Sequence, residues 1–456
     1  MKKLCLPCTE HYLLETYRQD AIGRNRFLHQ FVDLLDRLDE STVIALDGNW
    51  GSGKSFFVNQ AKLILDAHNS FLNVPTNSRT PILNDCKEWW KAYNSSKNKS
   101  VNQSHLCIYY DAWKHDSDED PLLSLIFEIY TTVQNDFSFS ELNISPNLLS
   151  DLVQINVAIS KQCSVSAHPL SFVDKLIKRE EAFDGMKKER DLENKINDFF
   201  NALLPERGNR LVIIIDELDR CNPVFAVRLL ERIKHYFNQD TVTFVFSIDS
   251  MELQATIKQY YGSEFNSCRY LDRFFDLRIE LPQIDTRDYL NYLGESSLQG
   301  TLIPDIIQTY HFQMREITRY IRMLKIAQPG QYYNPTNNVN NRTYSFIHSC
   351  ITPLIIALKI HNVNLYNDFV NGKDSSPMEI FKTERGVLLV KHYLLDINEV
   401  VDTPMLDRYL SDLYNALFVH NSVSQKIDVG NLSIYPDLLT DMYETISLLS
   451  RMSMYV

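Results

Sequence analysis

Eight consecutive residues, Gly48-Asn49-Trp50-Gly51-Ser52-Gly53-Lys54-Ser55, fit the pattern G-x-x-x-x-G-K-[ST] without exception. Glycines at three of those positions let the backbone wrap closely around a polyphosphate, with its N–H groups and the N-terminus of a following helix aimed at the anion. Lys54 is placed to reach the β- and γ-phosphates, and the Ser55 hydroxyl to ligate Mg²⁺. Asn49, Trp50, Ser52 and the next residue, Phe56, complete the stretch expected to contact the nucleotide. The ligand that fits these residue types is ATP with Mg²⁺.

A second group stands far downstream. The run Leu211-Val-Ile-Ile-Ile215 ends on Asp216-Glu217, and a carboxylate pair at the end of a strand is what phosphoryl transfer needs beside a phosphate loop. Asp216 is expected to support the metal, usually through water, and Glu217 to orient or deprotonate the attacking water. Alone, the pair reads as readily as two solvated acids; beside the loop it favours a hydrolase, an ATPase. Cys5, Cys8 and His11 make a C-x₂-C-x₂-H cluster, but no second cysteine pair of that spacing supplies a fourth ligand, so thiols are expected there rather than zinc.

These groups need a framework that brings them together. Phe27, Phe31, Leu34, Leu35 and Leu38 recur at helical spacing, then come the short buried strand Val43-Ile44-Ala45-Leu46, the loop, and a helix from Ser55 to about Ala67. Residues 71–104, rich in Asn, Ser, Lys and Pro, read as a polar surface loop. Leu106 to Tyr110 is a second strand, Pro121 opens a helix, and the pattern stays helical to about Leu204. Leu211 to Ile215 is a central strand buried on both faces. Asn222-Pro223 start a helix, Thr241 to Ile248 is another strand, Ser250 caps a helix ended by Gly262, and Leu277 to Leu281 is a last strand. This alternation predicts an α/β fold with a mainly parallel sheet. Asp216 lies 161 positions beyond Ser55, so 122–204 reads as a helical insertion. The core is then 1–121 plus 205–284, followed by a helical lid at 285–330 and a helical C-terminal region at 331–456, with a linker signal over 328–342.

Composition bounds the rest. With 456 residues, 44% of them hydrophobic and 23% charged, the chain is globular and long enough for several domains. A formal charge of −12 opposes loose attraction to nucleic acid or anionic lipid, leaving only a local basic groove open. The stretch 175–190 interleaves its basic residues with Glu180, Glu181, Asp184 and Glu189 and reads as a solvated helix face. The apolar region 346–360, broken by His348, Ser349, Thr352 and Pro353, falls short of the ~20 residues that span a bilayer. It reads as a core helix, so no integral membrane segment is expected. The start has no apolar stretch long enough for a signal peptide, which places the eight cysteines as thiols in the cytoplasm.

Segments spread over residues 20 to about 325 together resemble the KAP family of P-loop NTPases, a branch of the AAA+-like group. They are Asp20-Ala-Ile-Gly23-Arg24, the loop from Trp50 to Ser55, Tyr110-Asp-Ala-Trp113-Lys114, Ile215 to Cys221, Tyr270-Leu-Asp-Arg273-Phe-Phe, and Arg315-Glu-Ile-Thr-Arg319. The resemblance implies a large insertion between the two ATPase motifs, in agreement with the spacing. Many members carry membrane helices in that insertion, and this chain departs from them. Bacterial members are similar to phage-exclusion and defence proteins, so the resemblance implies an oligomeric ATPase in anti-phage defence. The alternative is a slow nucleotide-dependent switch or scaffold regulating a partner effector protein.

Roles for single residues follow from the same resemblance. Asp20 to Arg24 would lie near the adenine, or else form a helix cap and turn. Ser247 and Asp249 stand where AAA+-like enzymes place a polar sensor, though Asp249 is equally an acid at a helix N-terminus. Trp113 reads as a core anchor. Asp219 and Arg220 form an ion pair or reach a neighbouring subunit. Arg273 resembles a finger reaching across a subunit interface and Arg315 a sensor closing from within the chain. Their plainer alternatives are surface pairs with Asp272 or Asp276 and with Glu316.

Overall fold

The central strands form where apolar, largely β-branched runs are buried on both sides, as in Arg210–Asp216 and Val242–Ile248. Five strands, β1 (Thr42–Asp47), β2 (His105–Asp111), β3 (Arg210–Asp216), β4 (Val242–Ile248) and β5 (Leu277–Glu280), make one sheet in the order β2-β3-β4-β1-β5. Every pair in it is parallel. The computed structural model describes residues 7–72, 76–93, 101, 103–136, 194–201, 203–204, 207–236, 239–327, 338–395, 402–419 and 426–435. The centre of the expected insertion (137–193), the mixed-charge stretch 175–190, the linker at 328–337 and Cys5 lie outside them.

A parallel sheet needs cover on both faces, and successive residues along each strand supply it. Leu211, Ile213 and Ile215 of β3 share a core with residues from the helices Pro121–Asp136, Pro223–Tyr236 and Ser250–Tyr261. Val212 and Ile214 share the opposite one with residues from Glu10–Gln19, Asn25–Arg37 and Lys54–His68. The α/β class expected from the element order is the class observed. β4 stands between β1 and β3, and the register sets Ser247 beside Asp216 on one side and Leu46 on the other. The ends of β1, β3 and β4 therefore share one edge, the C-terminal edge at which open α/β sheets bind ligands.

Three local expectations are corrected. Part of the supposed surface loop 71–104 is the helix Thr76–Tyr93, with Pro81 inside it. Its Ile82 and Cys86 are buried in the core built around the helices Asn25–Arg37 and Lys54–His68, so an apolar stripe outweighs the polar composition around it. The C-terminal region is not wholly helical: β6 (Ile427–Val429) and β7 (Leu432–Ile434) form an antiparallel hairpin, turned by Gly430 at φ 56°. The apolar region 346–360 belongs to a longer helix, since Arg342–His361 is long and apolar enough by length and composition to cross a membrane. With 67% of that span buried inside the protein, it serves as the core helix expected. A π-turn at Ile347–Ile351 stands just before Pro353, whose missing N–H would break a regular ladder.

The chain divides into two compact units. Described residues of Pro7–Asp20 with Arg24–Pro282 hold the five-stranded sheet; Ala21–Gly23 and the described residues from Gln283 onward make the other. Described residues from both blocks expected as lid and C-terminal region, 285–330 and 331–456, fall in that second unit.

Candidate nucleotide site

β1 delivers the chain to Gly48. Gly51 at φ 81° and Gly53 at φ 90° then carry it through the left-handed region that side chains resist, and the helix Lys54–His68 begins. The N–H groups of a helix's first turn have no partner within the helix and suit an anion, and this helix begins directly at the end of the loop. Lys54 is buried, its ammonium donating to the Gly48 carbonyl and, at 3.4 Å, to that of Asn49. Phe56 buries its ring at 5% exposure and offers the site its backbone alone. Arg24, also 5% exposed, donates from Nη1 to the Ser52 carbonyl at 2.8 Å and so braces the loop from behind. Burial pushes this guanidinium down to about 10, which leaves it charged at neutral pH. Asp20 takes φ 45° and accepts from the Asn25 N–H at 3.0 Å, capping the start of its helix.

The loop is also held from β4. Asp249 Oδ2 accepts from the Trp50 N–H at 3.1 Å, while Oδ1 accepts from the N–H groups of Met251 and Glu252. The cap of Ser250–Tyr261 is thus Asp249 and not Ser250, because Asp249 holds the extended backbone that a cap requires.

Asp216 ends β3 at 1% exposure. Its Oδ2 accepts from the Tyr109 hydroxyl at 2.8 Å and its Oδ1 from the Glu217 N–H at 3.1 Å. Burial and then the Asp216 charge push the Tyr109 phenol up, so it remains a donor. Glu217 sits at φ 61° and ψ 24°, a strain of about 1 kcal/mol or more that outliers at functional sites commonly bear. Its Oε1 lies 3.5 Å from Ser55 Oγ, and its Oε2 accepts from Arg220 Nε at 2.6 Å. Burial, then the Asp216 charge, raises this carboxyl, while Arg220 and Lys54 act against the rise.

The residues present fit a magnesium nucleotide. The Ser55 hydroxyl and the adjacent carboxylates are the hard oxygen donors that Mg²⁺ takes. Ser52 in the loop and Ser247 at the end of β4 each keep a buried hydroxyl with no partner among the described residues, and such groups call for a ligand that completes them.

The remaining expected residues divide. Trp113 is no core anchor: it is 53% exposed, because Tyr110 and Ala112 take the inward positions and Trp113 opens a short 3₁₀ turn beyond β2. Its ring covers the Arg220 guanidinium, which pairs with Glu217 and not with Asp219. Asp219 instead accepts from the Trp50 indole N–H. Arg273 is exposed and forms neither plainer pair: Asp272 lies 3.8 Å from Arg278, and Asp276 accepts from the Val43 N–H. That last bond sets the Arg273 segment by the N-terminal edge of β1, roughly 16 Å along the strand from Gly48 at about 3.3 Å per residue. Arg315 is exposed on the helix Met314–Ala327 of the second unit, and Glu316 accepts from the Gln313 N–H. Tyr109 and the bracing contact of Arg24 escaped the sequence; both depend on contacts between distant segments.

A phosphate loop leading from a strand into a helix, with a carboxylate pair two strands over in a parallel sheet, defines a P-loop NTPase. A scan against protein families matches residues 24–330 to the KAP family P-loop domain. The chain belongs to the KAP family of P-loop NTPases, whose domain points to nucleotide binding and hydrolysis. A search of the curated proteins found no match.

Proposed function

We propose that the chain hydrolyses ATP with Mg²⁺ at this loop, with Glu217 as the base. The observation that carries the reading is the 3.5 Å approach of Glu217 Oε1 to Ser55 Oγ, which joins the loop to the acid-bearing strand across β4. Lys54 and the loop N–H groups hold the β- and γ-phosphates, Ser55 and Asp216 hold the metal, and Glu217 takes a proton from the attacking water. Magnesium, when bound, draws charge from the phosphate oxygens and fixes their geometry. The edge on which Arg273 lies favours its acting on a second copy of the chain, and hence an oligomer. The resemblance to bacterial exclusion proteins supports a cytoplasmic role in anti-phage defence, with the output passed to a protein partner.

Two variants test the site, read by phosphate release and by MgATP binding. Lys54→Ala is expected to lose both, because it removes the charge that meets the phosphates. Glu217→Gln is expected to keep binding and lose at least about 100-fold in turnover, the usual worth of a positioned base. Wild-type turnover in the first variant sinks the site; in the second it moves the base to Asp219. Tight nucleotide retention with slow turnover that no partner accelerates would favour the switch instead.

A further inference from the structure

Arg220 follows the acidic pair by three residues, and its guanidinium has three neighbours from three separate segments. Nε donates to Glu217 Oε2 at 2.6 Å. The central carbon stands 5.5 Å from the ring centre of Trp50, in the phosphate loop, and 5.6 Å from that of Trp113, in the turn after β2. Each indole face attracts a planar cation, so a guanidinium with two such rings beside it is fixed more firmly than one held by a carboxylate alone. The arginine side chain is only 22% exposed, whereas Trp50 and Trp113 are 45% and 53% exposed. Two large rings left at the surface, with an arginine in reach of both, have that arginine as their common contact. Trp50 is itself tied twice to the acid side of the site, through its indole N–H to Asp219 and its backbone N–H to Asp249.

We propose that Arg220 is a positioning residue for hydrolysis. It holds the Glu217 carboxylate in working orientation, and Trp50 and Trp113 hold Arg220, so the loop that takes the phosphates also sets the acid. This rests on the reading of Glu217 as the base. A plain surface ion pair at i,i+3 spacing has no such consequence, being worth little to stability and nothing to rate.

The test is steady-state MgATP hydrolysis and calorimetric MgADP binding on the full chain, with Glu217→Gln as reference. Arg220→Ala is expected to lose about tenfold or more in kcat, with KM and MgADP affinity held within about threefold, because the contact acts on the base and not on the nucleotide. Arg220→Lys should stay near the alanine variant, since an ammonium cannot reproduce a planar stack. Trp113→Ala should lose kcat several-fold and Trp113→Phe should recover most of it, and Arg220→Ala with Trp113→Ala should be no worse than Arg220→Ala alone, as roughly expected of groups acting through one carboxylate. Trp113 lies at the surface, so its variants decide the matter should Arg220→Ala fold poorly. The proposal is overturned if kcat in Arg220→Ala, or in Trp113→Ala, stays within about twofold of wild type or rises, if MgADP binding falls in step with it, or if the two losses multiply. Full turnover in Glu217→Gln would remove the reading of the base and this inference together. A dead Glu217→Gln beside a fully active Arg220→Ala overturns the inference alone.

Discussion

Both oxygens of Asp216 accept a hydrogen bond, one from the Tyr109 hydroxyl and one from the Glu217 N–H, so the carboxylate is oriented before it meets a metal. Tyr109→Phe removes a bond to a charged acceptor, worth about 1.5–3 kcal/mol at most, while keeping the ring. The expected result is a half-saturating Mg²⁺ concentration raised about tenfold for hydrolysis, beside a stability loss of up to about that size. An unaltered Mg²⁺ titration would show that the hydroxyl only satisfies a buried acid. Asp216 itself was legible in the sequence because an acid closing a fully apolar strand stands where a charge must have a partner or a ligand. Tyr109 was not, because its role depends on β2 pairing with β3, residue 109 against residue 214. Trp113 misled for a related reason: a large ring is most often buried, and nothing local revealed that a cation would cover it.

The elements hold the site through their ends. Asp249 caps the helix after β4 and also holds Trp50, so Asp249→Ala should cost about 1–2 kcal/mol of stability and weaken MgATP binding. Asp249→Asn, which caps as well, should restore the stability more fully than the binding; thermal melts and nucleotide titration separate the two. The helix Asn25–Arg37 gives a pH prediction. His29 is hydrogen-bonded to the Tyr17 hydroxyl, and burial, then the His68 charge, push it down to about 4 from an ordinary value of 6.5. Between those values the unfolded chain binds the extra proton, so stability falls as pH drops through this window, by about 3 kcal/mol in all. His29→Gln should flatten that part of the stability curve; an unchanged curve would place the acid loss elsewhere. Strands buried on both faces were easy to see as continuous apolar runs. The helix Thr76–Tyr93 was obscured by the Asn, Ser and Pro around its stripe, and three-residue strands such as β6 and β7 are too short for alternation to register.

At the scale of the whole molecule, the order β2-β3-β4-β1-β5 puts the loop and Arg273 at opposite ends of β1. If Arg273 completes a site, that site belongs to another copy. Hydrolysis per chain should then rise with protein concentration, and mixing Arg273→Ala with Glu217→Gln chains should restore activity that neither has alone, since a true finger is worth on the order of 10³ or more in rate. Constant activity down to monomeric concentrations, with less than about a tenfold loss in Arg273→Ala, would turn attention to Arg315. The same strand order has a consequence during synthesis. β1 finds its partners only at Thr243 and Leu277, and a ribosome adding about 5–20 residues each second needs roughly 10 to 40 s to reach the first of them. Through that interval the nascent chain already contains every residue of the phosphate loop, yet β1 has no neighbour to pair with. A chain stalled before β4 would lack the strand that joins the loop to the acid pair, so a bound nucleotide would assist folding only after β4 has left the ribosome.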